Sequence, residues 1–150
     1  MRLKLLHILF IGVLFSSCVK EKVLDKVPAI DYVSFYAKDE NTAYLTISYE
    51  DGDGDIFEEK GSKKYNFFAL FYYKDGNGNF IQDLDNPIVS VIERPSELSK
   101  DQPIKGEIMK TLIGWRSNVA YKNFRYEIYM TDQAGNKSNV LTTPEIITPF

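Results

Sequence analysis

Apolar and polar residues alternate along Ala43-Tyr44-Leu45-Thr46-Ile47-Ser48-Tyr49. They do so again along Asn123 to Thr131, where Phe124, Tyr126, Ile128 and Met130 share one face. A period of two marks a strand with one side turned to a core. Ile30 to Ala37 reads as an earlier strand, and Tyr65 to Lys74 as an aromatic run with so little polarity that a central strand buried on both faces is expected. Phe80-Ile81-Gln82 is a short return strand, and Ile88 to Glu93 is a strand stopped by Pro95. Lys105 to Ile113 is apolar at alternate positions, with Ile108 and Lys110 out of step. Ser138 to Thr148 is a last strand broken at Pro144, which suits an edge position because proline lacks the N–H a neighbour would use.

Turn chemistry separates these runs. Asp75-Gly76-Asn77-Gly78-Asn79 and Asp132-Gln133-Ala134-Gly135-Asn136 are rich in residues that tolerate a positive φ. Ser96 to Ser99 is expected to form one helical turn, and Trp115 to Asn118 a short helix or a corner. No stretch keeps a 3.6-residue period, and no internal repeat appears. The pattern predicts an all-β, antiparallel β-sandwich of about seven strands.

The N-terminus follows another logic. Arg2 and Lys4 precede an apolar run from Leu5 to Phe15, too short for the roughly 20 residues that cross a bilayer as a helix. Ser16 and Ser17 follow, then Cys18, the only cysteine. Basic head, apolar run and small residues are the layout of a secretory signal. Leu14-Phe15-Ser16-Ser17-Cys18 resembles the lipobox of bacterial lipoproteins, in which the cysteine is acylated and the chain is cut just before it. The resemblance implies a signal peptide over 1–17, lipidation at Cys18, a tether over 18–27 and a folded domain over 28–150. Acyl chains on Cys18 would hold the protein on a membrane.

Composition then excludes much. The one histidine, His7, lies inside the signal, so the chain after Cys18 has neither histidine nor cysteine. Ser-His-Asp and Cys-His nucleophiles, Cys/His zinc sites and disulfides within the domain are ruled out there. Arg2 and Lys4 are two of 18 basic residues, so 16 remain against 21 acidic ones, and no basic face for nucleic acid is expected. Glu58-Glu59 and Asp83/Asp85 are the available carboxylate pairs for acid/base hydrolysis, but charged loops of this kind are far commoner than active sites. No enzymatic activity is expected. Tyr72, Tyr73, Trp115 and Tyr121 could stack on sugar rings, although core packing is the commoner use of such residues.

The chemistry-bearing stretch is Asp51-Gly52-Asp53-Gly54-Asp55, directly after the alternating run. Calcium takes six to eight oxygen ligands, and carboxylates at every second position with glycines between them suit it. An EF-hand count fails: the sixth residue from Asp51 is Ile56 and the twelfth is Ser62, where glycine and glutamate are needed. The same count from Asp75 gives Phe80 and Asn86. The plain alternative is a solvated turn chosen for its geometry.

Two further resemblances bear on the fold. Tyr126 to Asn139, with Asp132-Gln133-Ala134-Gly135-Asn136-Lys137-Ser138, resembles the closing hairpin of bacterial immunoglobulin-like domains. Leu45 through Ile56, with its Asp-Gly-Asp-Gly-Asp-Ile, resembles a hairpin of Bacteroidetes lipoproteins of unassigned function. Together they imply a lipid-anchored, immunoglobulin-like domain of the cell envelope, on the outer membrane, with its periplasmic or surface face undecided. In that topology the loop after the second strand and the loop opened by Asp132 lie at one end. Asp51, Asp53, Asp55 and Asp132 are then expected to meet around one Ca2+, with the Asp75 turn at the opposite end. The expected role is structural or interactive, with an unknown protein or glycan partner. A carbohydrate-binding or uptake accessory lipoprotein is the alternative.

Overall fold

The computed structural model describes residues 23–85, 87–115 and 121–148. The expected signal peptide, Cys18, the first part of the tether and positions 116–118 lie outside the described residues. Within them are nine strand segments and no helix: β1 (Ala29–Ala37), β2 (Thr42–Asp51), β3 (Phe67–Lys74), β4 (Phe80–Gln82), β5 (Ile88–Ser90), β6 (Ile104–Ile113), β7 (Asn123–Met130), β8 (Leu141–Thr142) and β9 (Ile146–Ile147). All strand pairings are antiparallel.

One sheet has the order β1-β2-β6. The other has β3 and β7 at its centre, with β4 and β5 both beside β3 and β8 and β9 both beside β7. Because β7 takes one side of β3 from Phe67 to Tyr73, β4 and β5 share the other side, at opposite ends. Nine segments thus fill seven strand positions, as an antiparallel sandwich. The final strand is split where Pro144 falls, and β5 ends at Ser90 because the chain then turns to bridge Glu93 with Glu58. Ser96 and Glu97 form a turn, closed by the Leu98 N–H on the Pro95 carbonyl, in place of the expected helical one over Ser96 to Ser99.

The period-two pattern sets the core. Ala43, Leu45, Ile47 and Tyr49 of β2 face Phe67, Ala69 and Phe71 of β3 and Phe124, Tyr126, Ile128 and Met130 of β7, all buried. On β6 the buried set is Ile104, Ile108 and Leu112, so Ile108 lies in the core while Met109 and Ile113 face out. Gly106 takes the inward position opposite Tyr49, whose hydroxyl would lie 3.0 Å from a Cβ there. The missing side chain is filled by the tyrosine ring, which hides the true phase from a sequence count.

Trp115 is fully buried against Phe35 and Phe124, and its indole N–H donates to the Asp39 carbonyl. The Tyr126 hydroxyl donates to the Trp115 carbonyl, which ties β7 to the segment that follows β6. β3 departs from expectation on its outer face: Phe68, Leu70 and Tyr72 are only half-buried. Neighbouring side chains supply their cover. Phe68 stacks on Tyr129 at 4.7 Å, Lys137 lies 3.7 Å over Tyr129, and Arg125 lies 4.4 Å over the Phe80 ring.

Candidate metal centre

Asp51 is the last residue of β2, two positions beyond Tyr49 on the inward-facing phase. Alternation therefore drives a carboxylate into the end of the core, where it is fully buried. Its Oδ2 accepts the Ile56 N–H at 2.8 Å, which closes the loop over residues 51–56. Gly54 makes that closure possible. Its φ is +74°, and an added Cβ would sit 2.4 Å from the Gln102 carbonyl oxygen. Ile56 and Phe57 then return to the core, so the loop is pinned on both sides.

Asp51, Asp53 and Asp55 form a group able to hold a metal ion. Each offers a carboxylate oxygen, and the three atoms lie within 4.8 Å of one another. In each of the three, Oδ1 is buried and accepts no hydrogen bond. A buried acceptor without a partner is costly, and a charged one more so. Burial pushes the Asp51 carboxyl above the ordinary range, with the Ile56 and Asp53 N–H groups pulling the other way and the Asp53 charge adding to the rise. Burial also lifts Asp55, to about 6, helped by the nearby charges of Asp132, Asp53 and Asp51 against the Ala134 N–H. Lys26 is the nearest ion pair, at 3.9 Å from Asp53, and its side chain is mostly exposed. Such a surface pair offsets little of the repulsion. A cation held by the three carboxylates would offset their mutual repulsion.

The loop opened by Asp132 meets the acidic loop as the topology predicts. The Asp55 carbonyl accepts the Gln133 N–H at 3.0 Å, and Asp55 Oδ2 accepts the Ala134 N–H at 3.1 Å. The Gln133 side-chain amide donates to the Phe57 carbonyl, and Lys64 Nζ donates to the carbonyls of Asp132 and Gln133. Asp132 is itself buried, and its two carboxylate oxygens accept the backbone N–H and the side-chain amide of Asn136. It thus stands beside the three-aspartate group, felt by Asp55 through charge, with its oxygens engaged in its own hairpin turn. Asp75 lies at the other end of β3, where its Oδ1 accepts the N–H groups of Asn77 and Asn79.

Three supporting residues escaped the sequence reading. Asn66 is fully buried: Nδ2 donates to the Ile56 and Ile92 carbonyls and Oδ1 accepts the Ile92 N–H. It ties the acidic loop to the segment after β5, and its one signal was a polar residue between Tyr65 and Phe67. Arg94 donates to the Gly54 carbonyl at 2.8 Å, fixing the loop from above. Asp25 accepts the Gly52 N–H at 2.7 Å through its backbone carbonyl, a contact no residue type announces.

No family model, curated protein or solved structure matches the chain.

Proposed function

We propose that this is a lipid-anchored protein of a bacterial cell envelope, of Bacteroidetes type and on the outer membrane, whose sandwich is fastened at one end by calcium. The observation that carries the metal reading is the set of three buried Oδ1 atoms with no hydrogen-bond partner. The donors are all hard oxygens, and neither histidine nor cysteine occurs after Cys18, which favours calcium over zinc or copper. Water and backbone carbonyls would complete the six to eight ligands calcium takes. The anchor rests on the signal-like N-terminus ending at Cys18.

The role is non-catalytic: holding shape and presenting a surface. Glu58 is engaged by Ser62 and Lys64, and Glu59 by Lys100 and Arg94, so this pair is committed to structure and counts against acid/base chemistry. The glycan-binding alternative wants flat, free rings. Trp115 is buried, Tyr73 is stacked at 3.8 Å on Tyr121, and Arg125 sits over the Tyr72 ring. Those arrangements count against it.

Thermal unfolding with calcium and with chelator tests the metal. At free calcium a hundred times Kd, stability rises by about 2.7 kcal/mol, a Tm increase on the order of 10 °C for a domain this size. Identical melting up to millimolar calcium would remove the proposal.

A further inference from the structure

The acidic loop touches more than its neighbours in the sandwich. Gly52 lies directly against the backbone of the tether: a Cβ there would be 2.5 Å from the Leu24 carbonyl oxygen and 2.6 Å from that of Asp25. Its N–H donates to the same Asp25 carbonyl. Gly52 is not among the glycines with positive φ, so its own backbone does not require glycine. What requires glycine is the close approach of residues 24 and 25. The first glycine of Asp-Gly-Asp-Gly-Asp is there for the tether, and the second, Gly54, for the turn.

The seat is shallow. Val23 is 92% exposed, and Leu24 forms one wall of an open cleft of about 550 Å3 whose other wall is Gln102, Pro103 and Ile104. Among the described residues, one backbone hydrogen bond, the close backbone approach at Gly52, the half-buried Leu24 and the exposed Lys26–Asp53 pair hold the segment. Contacts of that kind are individually weak. A latch this weak responds to the order of the surface it rests on. That surface is the peptide between Asp51 and Asp53, two carboxylates that repel each other unless a cation lies between them.

We propose that ion binding at Asp51, Asp53 and Asp55 latches the tether onto the domain through Gly52, and that loss of the ion releases it. The inference rests on the metal reading given above. An occupied site holds the Gly52 N–H where Asp25 accepts it, so residues 24–26 stay seated. Without the ion the carboxylates move apart, the N–H turns away and the tether swings free. Binding would draw Asp53 away from Lys26, but that pair is exposed and holds little.

The test is limited proteolysis of the full chain in detergent with a lysine-specific protease that needs no calcium. Cleavage after Lys26 is read against cleavage after Lys38, an exposed lysine in the turn following β1 at the other end of the sheet. Calcium should slow cleavage after Lys26 at least tenfold relative to Lys38, and chelator should restore it. Gly52→Ala should be cut fast after Lys26 in both conditions. A calcium-dependent Tm with unchanged cleavage after Lys26 overturns the latch and leaves the metal site standing. Protection in Gly52→Ala equal to that of the unmodified chain overturns it too. Calcium that changes neither Tm nor cleavage removes both ideas.

Discussion

The Asp55 carboxylate accepts a hydrogen bond from the backbone N–H of Ala134 at 3.1 Å, across 79 residues of sequence. The same aspartate accepts the Gln133 N–H through its carbonyl. One residue thus serves the acidic group with one oxygen and the facing hairpin with another. Any change in the charge state of Asp55 is transmitted to both loops.

That coupling has a sign. In the metal-free protein the Asp55 pKa of about 6 lies above its ordinary value of 3.8. The folded state then holds the proton more tightly than the unfolded state does. The stabilisation is complete below about pH 4 and is lost as pH rises through 6. In chelator, the stability of the unmodified chain minus that of Asp55→Asn should therefore fall between pH 4 and 6 and level off above. With calcium the difference should rise over the same window, because the ion needs the carboxylate. Urea unfolding at four or five pH values checks both slopes, and a flat difference in chelator would remove the burial argument.

Asn66→Ala should be among the most destabilising single changes in the domain. It strips partners from the buried Ile56 carbonyl and from the part-buried Ile92 N–H, while the Ile92 carbonyl keeps the Glu58 N–H. Each of these two groups costs about 1–3 kcal/mol when left unpaired, so a total of about 2–4 kcal/mol is expected. A shift in the urea midpoint with unchanged m-value measures it.

Tyr126→Phe removes only the hydroxyl that the Trp115 carbonyl accepts. The ring still packs on Phe71 and Phe124, so the loss is confined to one buried hydrogen bond and the carbonyl left behind, about 1–3 kcal/mol. Trp115 is the only tryptophan and is fully buried. Its fluorescence follows unfolding directly and should keep a buried-type emission in the folded variant.

Gly54→Ala and Gly135→Ala should separate two costs of losing glycine. Both positions have positive φ, +74° and +91°, so both variants lose about 1 kcal/mol to backbone strain. Only at Gly54 would the new Cβ also meet a backbone carbonyl, at 2.4 Å, whereas nothing lies within 4 Å at Gly135. Gly54→Ala should therefore fall by at least a further 1–2 kcal/mol and weaken calcium's effect on Tm, and Gly135→Ala should leave that effect intact.

The strands were legible where alternation was strict. β2 and β7 each put a run of core residues on one face, and both were readable from period alone. β6 misled by phase, because Gly106 leaves a gap in the buried set that Tyr49 fills from the next strand. The outer face of β3 misled by composition, because rings that look like core residues are covered by one another and by Arg125 and Lys137. At the site, the grouping of Asp51, Asp53 and Asp55 and the meeting of the two loops followed from spacing and topology, whereas Asp132, expected with them around one ion, keeps its carboxylate oxygens on Asn136. Asn66, Arg94 and Asp25 did not. Two of them act on backbone carbonyls and the third through its own carbonyl, and such contacts depend on the path of the chain and leave little trace in residue type.

The broken strands at the rims of the larger sheet carry a last consequence. One rim consists of β4 and β5, three residues each, and the other of β8 and β9, two residues each. An uninterrupted rim is a template on which a neighbouring molecule can lay a strand. Here no rim of that sheet offers more than three residues in register before the chain turns away. Crowded copies find little to zip onto along it, and a deletion that straightened residues 143–145 into continuous strand would remove that protection.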